Sequence, residues 1–298
     1  MTAAGSVPAA GRVAALSLAL LASASLAAAV PRVDEVPSRL TKGPVRTLVL
    51  LPPSYDSAPA RRYPVLFFLH DGYGDERALF SHGIAGALVA EMREGKIPEL
   101  LVVSPRLGGT WCVDSYDGKD RYASFLDTEL VPFVDARYRT LGGPRTRAVA
   151  GISMGGYGAI HWALLDPELF AAAGGLSPAL QQLSWHMLDP LPFLTRLSIT
   201  RVFGKRELAN NLTENDVYQM LLRDPRLAPR VPPVVVRCGT EDRYRLGQNA
   251  AFFGRFLRAL SVPSEVTVEP GAHDWAYWSR SLPQLLRTVV RHLPGGGA

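Results

Sequence analysis

The chain has 298 residues, 47% hydrophobic and 20% charged, enough for one large α/β domain with a sizeable core. Its 32 basic and 27 acidic residues leave a net charge of +5. The basic residues are dispersed and no basic run is interleaved with aromatics, which excludes a nucleic-acid surface and reads as a solvated exterior.

The first segment stands apart. Arg12 precedes an uncharged run of Ala, Leu, Ser and Val from Val13 to Val30, and Ala27-Ala28-Ala29 supplies small residues suited to cleavage. Residues 1–29 read as a signal peptide, which predicts a secreted or periplasmic mature chain of one domain, 30–298. The competing reading is an uncleaved anchor. The run is about long enough to cross a bilayer, but its Ala/Ser content makes it weakly hydrophobic. No later segment is expected to insert in a membrane.

Apolar runs of strand length then alternate with amphipathic segments. In chain order the pattern predicts strands at Thr47–Leu51 and Val65–Leu69, a helix at Ala78–Arg93, a strand at Leu100–Ser104 and a helix at Tyr122–Tyr138. A strand at Ala148–Ile152, a helix at Gly155–Leu165 and a strand at Ala171–Leu176 follow. After a long interruption come a strand at Val234–Cys238, a helix at Gly247–Ala259, a strand at Glu265–Val268 and a helix at Leu282–His292. Continuous apolar strands separated by helices imply an α/β fold with a mostly parallel sheet flanked by helices, and such sheets carry their sites beyond the carboxyl ends of the strands. The interruption, Gln181–Pro233, mixes apolar residues with several prolines. It reads as a cap-like insertion over the site mouth, or else as packed surface elaboration.

Gly151-Ile152-Ser153-Met154-Gly155-Gly156 lies between a predicted strand and a predicted helix. It matches G-x-S-x-G, the elbow that lifts a serine hydroxyl out of a sheet edge. A serine hydroxyl needs an adjacent base, and that base a carboxylate to orient it. In this architecture the order is Ser, acid, His. Of six histidines, His273 in the loop Gly271-Ala272-His273 occupies the place of a late-chain base, whereas His70 reads as a structural residue at a strand end. The loop after Val234–Cys238 offers two carboxylates. Asp242 is preferred, because the chain needs a residue or two to turn, with Glu241 as the alternative. The oxyanion should find one N–H at Met154, after the nucleophile, and a second at Tyr73, or Gly72, in the loop after Val65–Leu69.

Tyr73, Trp111, Tyr116, Trp275, Tyr277 and Trp278 fall on loops expected to converge, which suits a partly apolar pocket for short-chain or aryl esters. Trp111, Asp114 and Trp275 are candidate substrate-binding residues. Cys112 and Cys238 could pair after export or stay as buried thiols. No zinc spacing, phosphate loop or dinucleotide fingerprint is present, so neither metal nor cofactor is expected. Asn211-Leu212-Thr213 fits a glycosylation sequon.

The chain resembles the "putative esterase" family of α/β-hydrolases, which includes feruloyl and tributyrin esterases, S-formylglutathione hydrolase and the mycolyltransferases. The resemblance is carried by Phe67-Phe68-Leu69-His70-Asp71-Gly72-Tyr73-Gly74, by Glu129–Tyr138, by Gly151–Ala159, by Cys238-Gly239-Thr240-Glu241-Asp242 and by His273-Asp274-Trp275. It implies Ser153 as nucleophile, Asp242 as acid and His273 as base, with oxyanion donors from the Asp-Gly-Tyr segment and from Met154. The implied activity is ester hydrolysis on a small-molecule or carbohydrate-linked ester. Many esterase members have His-Gly where this chain has His-Asp-Gly. The mycolyltransferases carry Asp-Gly, which keeps acyl transfer to a sugar or alcohol as an alternative. A non-catalytic surface-binding protein on this fold would usually lack one of the three catalytic residues, and all three are present.

Overall fold

The computed structural model of the chain describes residues 30–180, 193–204 and 209–295, so the expected leader and the first part of the expected insertion lie outside the described residues. Among the described residues, eight strands form one sheet: β1 Arg32–Val36, β2 Val45–Leu50, β3 Val65–Leu69, β4 Leu101–Pro105, β5 Arg147–Ile152, β6 Phe170–Leu176, β7 Val234–Gly239 and β8 Ser264–Glu269. Their order across the sheet is β1-β2-β4-β3-β5-β6-β7-β8. β2 pairs antiparallel with both β1 and β4, and every other pairing is parallel.

The strand sequences explain the layering. β3 reads Val-Leu-Phe-Phe-Leu and is buried throughout. Side chains alternate across a strand, so Phe67 and Leu69 join one hydrophobic layer while Leu66 and Phe68 join the other. A strand with two buried faces needs helices on both. These are α1 Ala78–Ser81, α2 Ile84–Arg93, α3 Tyr122–Phe125, α4 Val131–Arg137, α5 Met154–Leu165, α6 Phe193–Phe203, α7 Ala209–Glu214, α8 Val217–Arg223, α9 Leu246–Ala259 and α10 Trp275–Val290. A π-helical turn, Leu126–Leu130, joins α3 to α4 just before Pro132, which has no N–H to continue the α-helical ladder.

Four local features depart from the sequence expectations. β1 was not expected: its Arg-Val-Asp-Glu-Val is half exposed and owes its strand to pairing with β2. The expected helix Ala78–Arg93 is broken at His82-Gly83, where Gly83 takes a left-handed φ of 73° that a side chain would resist. The last helix begins at Trp275 instead of Leu282. Asp274 caps it by accepting the Tyr277 N–H at 2.9 Å, and Pro283 sits inside it. Within the expected insertion, the described residues form α6, α7, α8 and a short 3-10 turn at Ala228–Arg230.

Candidate active site

β5 ends at Ile152 and α5 begins at Met154, so one residue makes the turn. That residue, Ser153, holds φ 53° and ψ −112°, a sparsely populated conformation for a side-chain-bearing residue. Hydrogen bonds hold it there: its N–H donates to the Leu176 carbonyl at 2.9 Å, and its carbonyl accepts from Tyr157 N–H at 3.0 Å and Ala179 N–H at 3.1 Å. Two glycines allow α5 to run this close to the sheet. A Cβ on Gly151 would lie 2.3 Å from the Gly155 carbonyl oxygen, and one on Gly155 would lie 2.1 Å from the Leu69 oxygen and 2.5 Å from that of His70.

Ser153 Oγ stands 2.9 Å from His273 Nε2, and His273 Nδ1 stands 2.7 Å from Asp242 Oδ2. The Asp242 side chain is 0% exposed and that of His273 6%. Ser153 follows β5, Asp242 follows β7 and His273 follows β8, so the three residues come from the carboxyl ends of three strands, with β6 lying between β5 and β7. Asp242 Oδ1 accepts the Tyr244 N–H at 2.9 Å, which leaves Oδ2 for the imidazole. A carboxylate at Nδ1 holds the Nδ1–H tautomer and leaves Nε2 free to accept from the serine hydroxyl. The ring is wedged edge-on between Tyr244 and Trp278, with centroids 5.0 and 4.9 Å away.

Glu241, the alternative acid, points elsewhere. It is exposed, accepts the Thr240 hydroxyl at 2.6 Å and the Gly271 N–H, and so ties the loop of the acid to the loop of the base. Those hydrogen bonds hold its carboxyl below the usual range, that of Thr240 contributing most. His70 is a structural residue, as expected. It is buried, its Nδ1 donates to the Asp71 carbonyl at 2.6 Å, and its Nε2 accepts the Leu107 N–H at 2.9 Å. Burial lowers its pKa, consistent with a neutral ring.

Around Ser153 opens a cavity of about 680 Å³. Trp111, Met154, Ile199, Tyr244, Trp275 and Trp278 give it apolar walls, while Asp71, Thr195, Ser198 and Arg243 add polar groups. Trp111 and Trp275, expected at the pocket, both line it. Trp111 Nε1–H donates to Ser198 Oγ at 3.2 Å, and Trp275 stacks on His82 with centroids 3.5 Å apart. Asp114 does not line it. Its carboxylate accepts the Ser124 N–H at 2.9 Å and the Ser124 hydroxyl at 2.5 Å and pairs with Arg121 at 3.5 Å, fastening the start of α3. Tyr116 is surface-exposed away from the cavity, and Tyr277 belongs to the core.

Met154 opens α5, where the first N–H groups of a helix have no partner within it. The Tyr73 N–H donates to Asp71 Oδ1 at 2.9 Å. The two thiols are unpaired and buried, and burial pushes each up to about 12. Cys112 packs onto Gly158, where a Cβ would meet its sulfur at 2.5 Å. Asn211 of the sequon lies in α7 with a buried Oδ1.

Sequence reasoning missed His82, Tyr244, Thr195, Ser198 and Ile199 as cavity residues. The α6 positions had a local signal, since Thr195 and Ile199 stand four apart and so share a helix face. His82 had none, because the break at Gly83 and the approach of α10 bring it over Trp275.

A sequence profile of the family described as "Putative esterase" matches residues 38–289. An esterase of Mycobacterium tuberculosis is 34% identical over 133 residues, 43% of this chain, and the chain covers 28% of that relative's length. An acetyl esterase of Caldicellulosiruptor saccharolyticus is 23% identical over 213 residues, 67% of this chain and 77% of the relative. Among solved structures, a ferulic acid esterase superposes with a TM-score of 0.73 at 25% identity, covering 88% of this chain and 98% of its own.

Proposed function

The chain belongs to this esterase family, and from that premise we propose that it is a secreted serine carboxylesterase acting on short-chain or aryl esters through an acyl-enzyme. The observation that carries the proposal is the unbroken line from Ser153 Oγ to His273 Nε2 at 2.9 Å and from His273 Nδ1 to Asp242 Oδ2 at 2.7 Å, opening on the apolar cavity.

In this reading Ser153 Oγ attacks the ester carbonyl carbon while its proton passes to His273 Nε2. Asp242 stabilises the imidazolium that results. The carbonyl oxygen becomes an oxyanion, held by the Met154 N–H and by the Tyr73 N–H once that donor turns from Asp71. Collapse of the intermediate breaks the ester C–O bond, and His273 hands its proton to the departing alkoxide. Water then repeats the sequence against the acyl-serine, releasing the acid and regenerating the hydroxyl. Trp111 and Trp275 form walls for the acyl or leaving group. Residues 1–29 act as the export leader, and the insertion covers the mouth through α6.

Ser153→Ala tests the assignment. It should abolish hydrolysis of p-nitrophenyl butyrate and labelling by a fluorophosphonate; full activity in that variant overturns it. The Asp71-Gly72 pair, which resembles the mycolyltransferase loop, favours a second reading in which an alcohol replaces water at the deacylation step. Transesterified product formed on adding an acceptor alcohol would distinguish the two.

A further inference from the structure

Tyr73 is attached at both ends. Its N–H donates to Asp71 Oδ1 at 2.9 Å, and its phenol oxygen shares a hydrogen bond of 2.7 Å with Thr195 Oγ1. Between these two points the residue is 66% exposed, so the apolar core does little to hold the ring. Thr195 lies near the start of α6, the helix that also sends Leu194, Ser198 and Ile199 to the cavity. Ser198 Oγ donates to the Thr195 carbonyl at 2.8 Å and accepts from Trp111 Nε1–H at 3.2 Å. These contacts tie α6 to the catalytic half of the site on two sides of the cavity, through Tyr73 and through Trp111.

The resting geometry leaves the oxyanion donor occupied. Asp71 is buried at the cavity wall, and its second oxygen, Oδ2, has no hydrogen-bond partner among the described residues. A carboxylate and a developing oxyanion on the same N–H repel each other at contact distance. The N–H must therefore leave Asp71 Oδ1 as the tetrahedral intermediate forms, which requires a small rotation of the Tyr73 backbone. Its side chain is the remaining handle on that rotation, and the group holding the handle is on α6.

We propose that Thr195 is a positioning residue that acts through Tyr73: the Tyr73–Thr195 hydrogen bond couples α6 to the oxyanion loop. An acyl chain seated against Leu194 and Ile199 presses on α6, and the bond transmits that displacement to the Tyr73 N–H, turning it from Asp71 toward the oxyanion. Turnover then depends on what fills the acyl side of the cavity. The inference rests on the serine-hydrolase reading and on Tyr73 as an oxyanion donor.

The test compares kcat and KM of the full mature chain for p-nitrophenyl acetate, butyrate and octanoate. Thr195→Val keeps the shape of the side chain and removes its hydroxyl; Tyr73→Phe removes the other end. A lost neutral hydrogen bond of about 1 kcal/mol corresponds to roughly fivefold. Each variant should therefore lose about three- to tenfold in kcat on octanoate, less as the acyl chain shortens, with KM within about twofold. Thr195→Ser should restore kcat, and the double variant should be no worse than either single one, because both remove the same bond. A loss of equal size on all three esters, a change in KM alone, or additive losses overturns the coupling. Ser153→Ala, run alongside, separates the two levels. If it still turns over the esters, the hydrolase reading and the coupling fall together; if it is inert while Thr195→Val keeps wild-type kcat on octanoate, the coupling alone falls.

Discussion

Asp242→Asn keeps the size of the proposed acid and removes its charge, and the hydrogen bonds around it determine how the amide must sit. In the wild-type chain Oδ1 accepts the Tyr244 N–H at 2.9 Å and Oδ2 faces His273 Nδ1 at 2.7 Å. An asparagine has one acceptor oxygen, and its nitrogen can only donate. With the oxygen kept on the Tyr244 N–H, the NH2 faces Nδ1, the ring proton shifts to Nε2, and Nε2 can no longer accept from Ser153. With the amide flipped, the NH2 meets the Tyr244 N–H and that hydrogen bond is lost, at about 1 kcal/mol. In either orientation the imidazolium loses its counter-ion. Opposite charges about 4 Å apart are worth about 4 kcal/mol at an effective dielectric constant near 20, or on the order of a thousandfold in rate. Steady-state kinetics on p-nitrophenyl butyrate should thus show kcat reduced about 10³- to 10⁴-fold with little change in KM, and an unfolding midpoint close to wild type. Glu241→Gln is the matched control, because a glutamine oxygen can still accept the Gly271 N–H; it should change kcat by less than about threefold. If Asp242→Asn stays within tenfold of wild type, or if Glu241→Gln loses as much, Asp242 is not the acid.

Two further outcomes follow from the packing. Gly155→Ala places a Cβ within 2.1 Å of the Leu69 oxygen and 2.5 Å of the His70 oxygen, both backbone atoms that cannot rotate away. It should cost about 3 kcal/mol or more in urea denaturation and also lower kcat by displacing Ser153; an unchanged midpoint would contradict the close approach of α5 to β3. His161 is buried in α5 against Tyr157, and burial lowers its pKa from 6.5 to about 4. The folded value lies below the unfolded one, so the unfolded chain alone holds the extra proton between those two values. Stability is then fully present above about pH 6.5 and is lost as pH falls toward 4. This one group should remove about 2 kcal/mol between pH 7 and about pH 4.5. Urea denaturation of His161→Phe at the two pH values should show a loss smaller than wild type by that amount; equal losses would mean that His161 takes up its proton without unfolding.

Much of the site was legible before folding because its constraints are local. The G-x-S-x-G turn is a steric requirement written in consecutive residues, and the loops carrying Asp242 and His273 each follow an apolar strand. Strand order in the sheet then brings those loops together at one edge. The β-strands of the centre were legible for the same reason: Val65–Leu69 and Ala148–Ile152 are buried on both faces and read as unbroken apolar runs. β1 was not legible, since Arg32–Val36 carries three charges and gains its backbone hydrogen bonds only by lying against β2. Asp114 misled for a related reason. Its position after β4 fits a mouth residue, yet its carboxylate finds Ser124 ten residues on and is used to fasten α3.

The residues and order of the proposed hydrolytic machinery were thus legible in the sequence alone, because a strained turn, its glycines and strand-end loops are short-range features. What tertiary structure decided is everything that depends on contacts between distant segments. It stacks His82 on Trp275, sets Tyr244 and Trp278 against the imidazole, turns Glu241 away from it, and joins Tyr73 to Thr195 across 122 residues of chain. Such contacts leave no periodicity or motif in the chain, since they form only when α6, α10 and the loops after β7 and β8 are packed against one another.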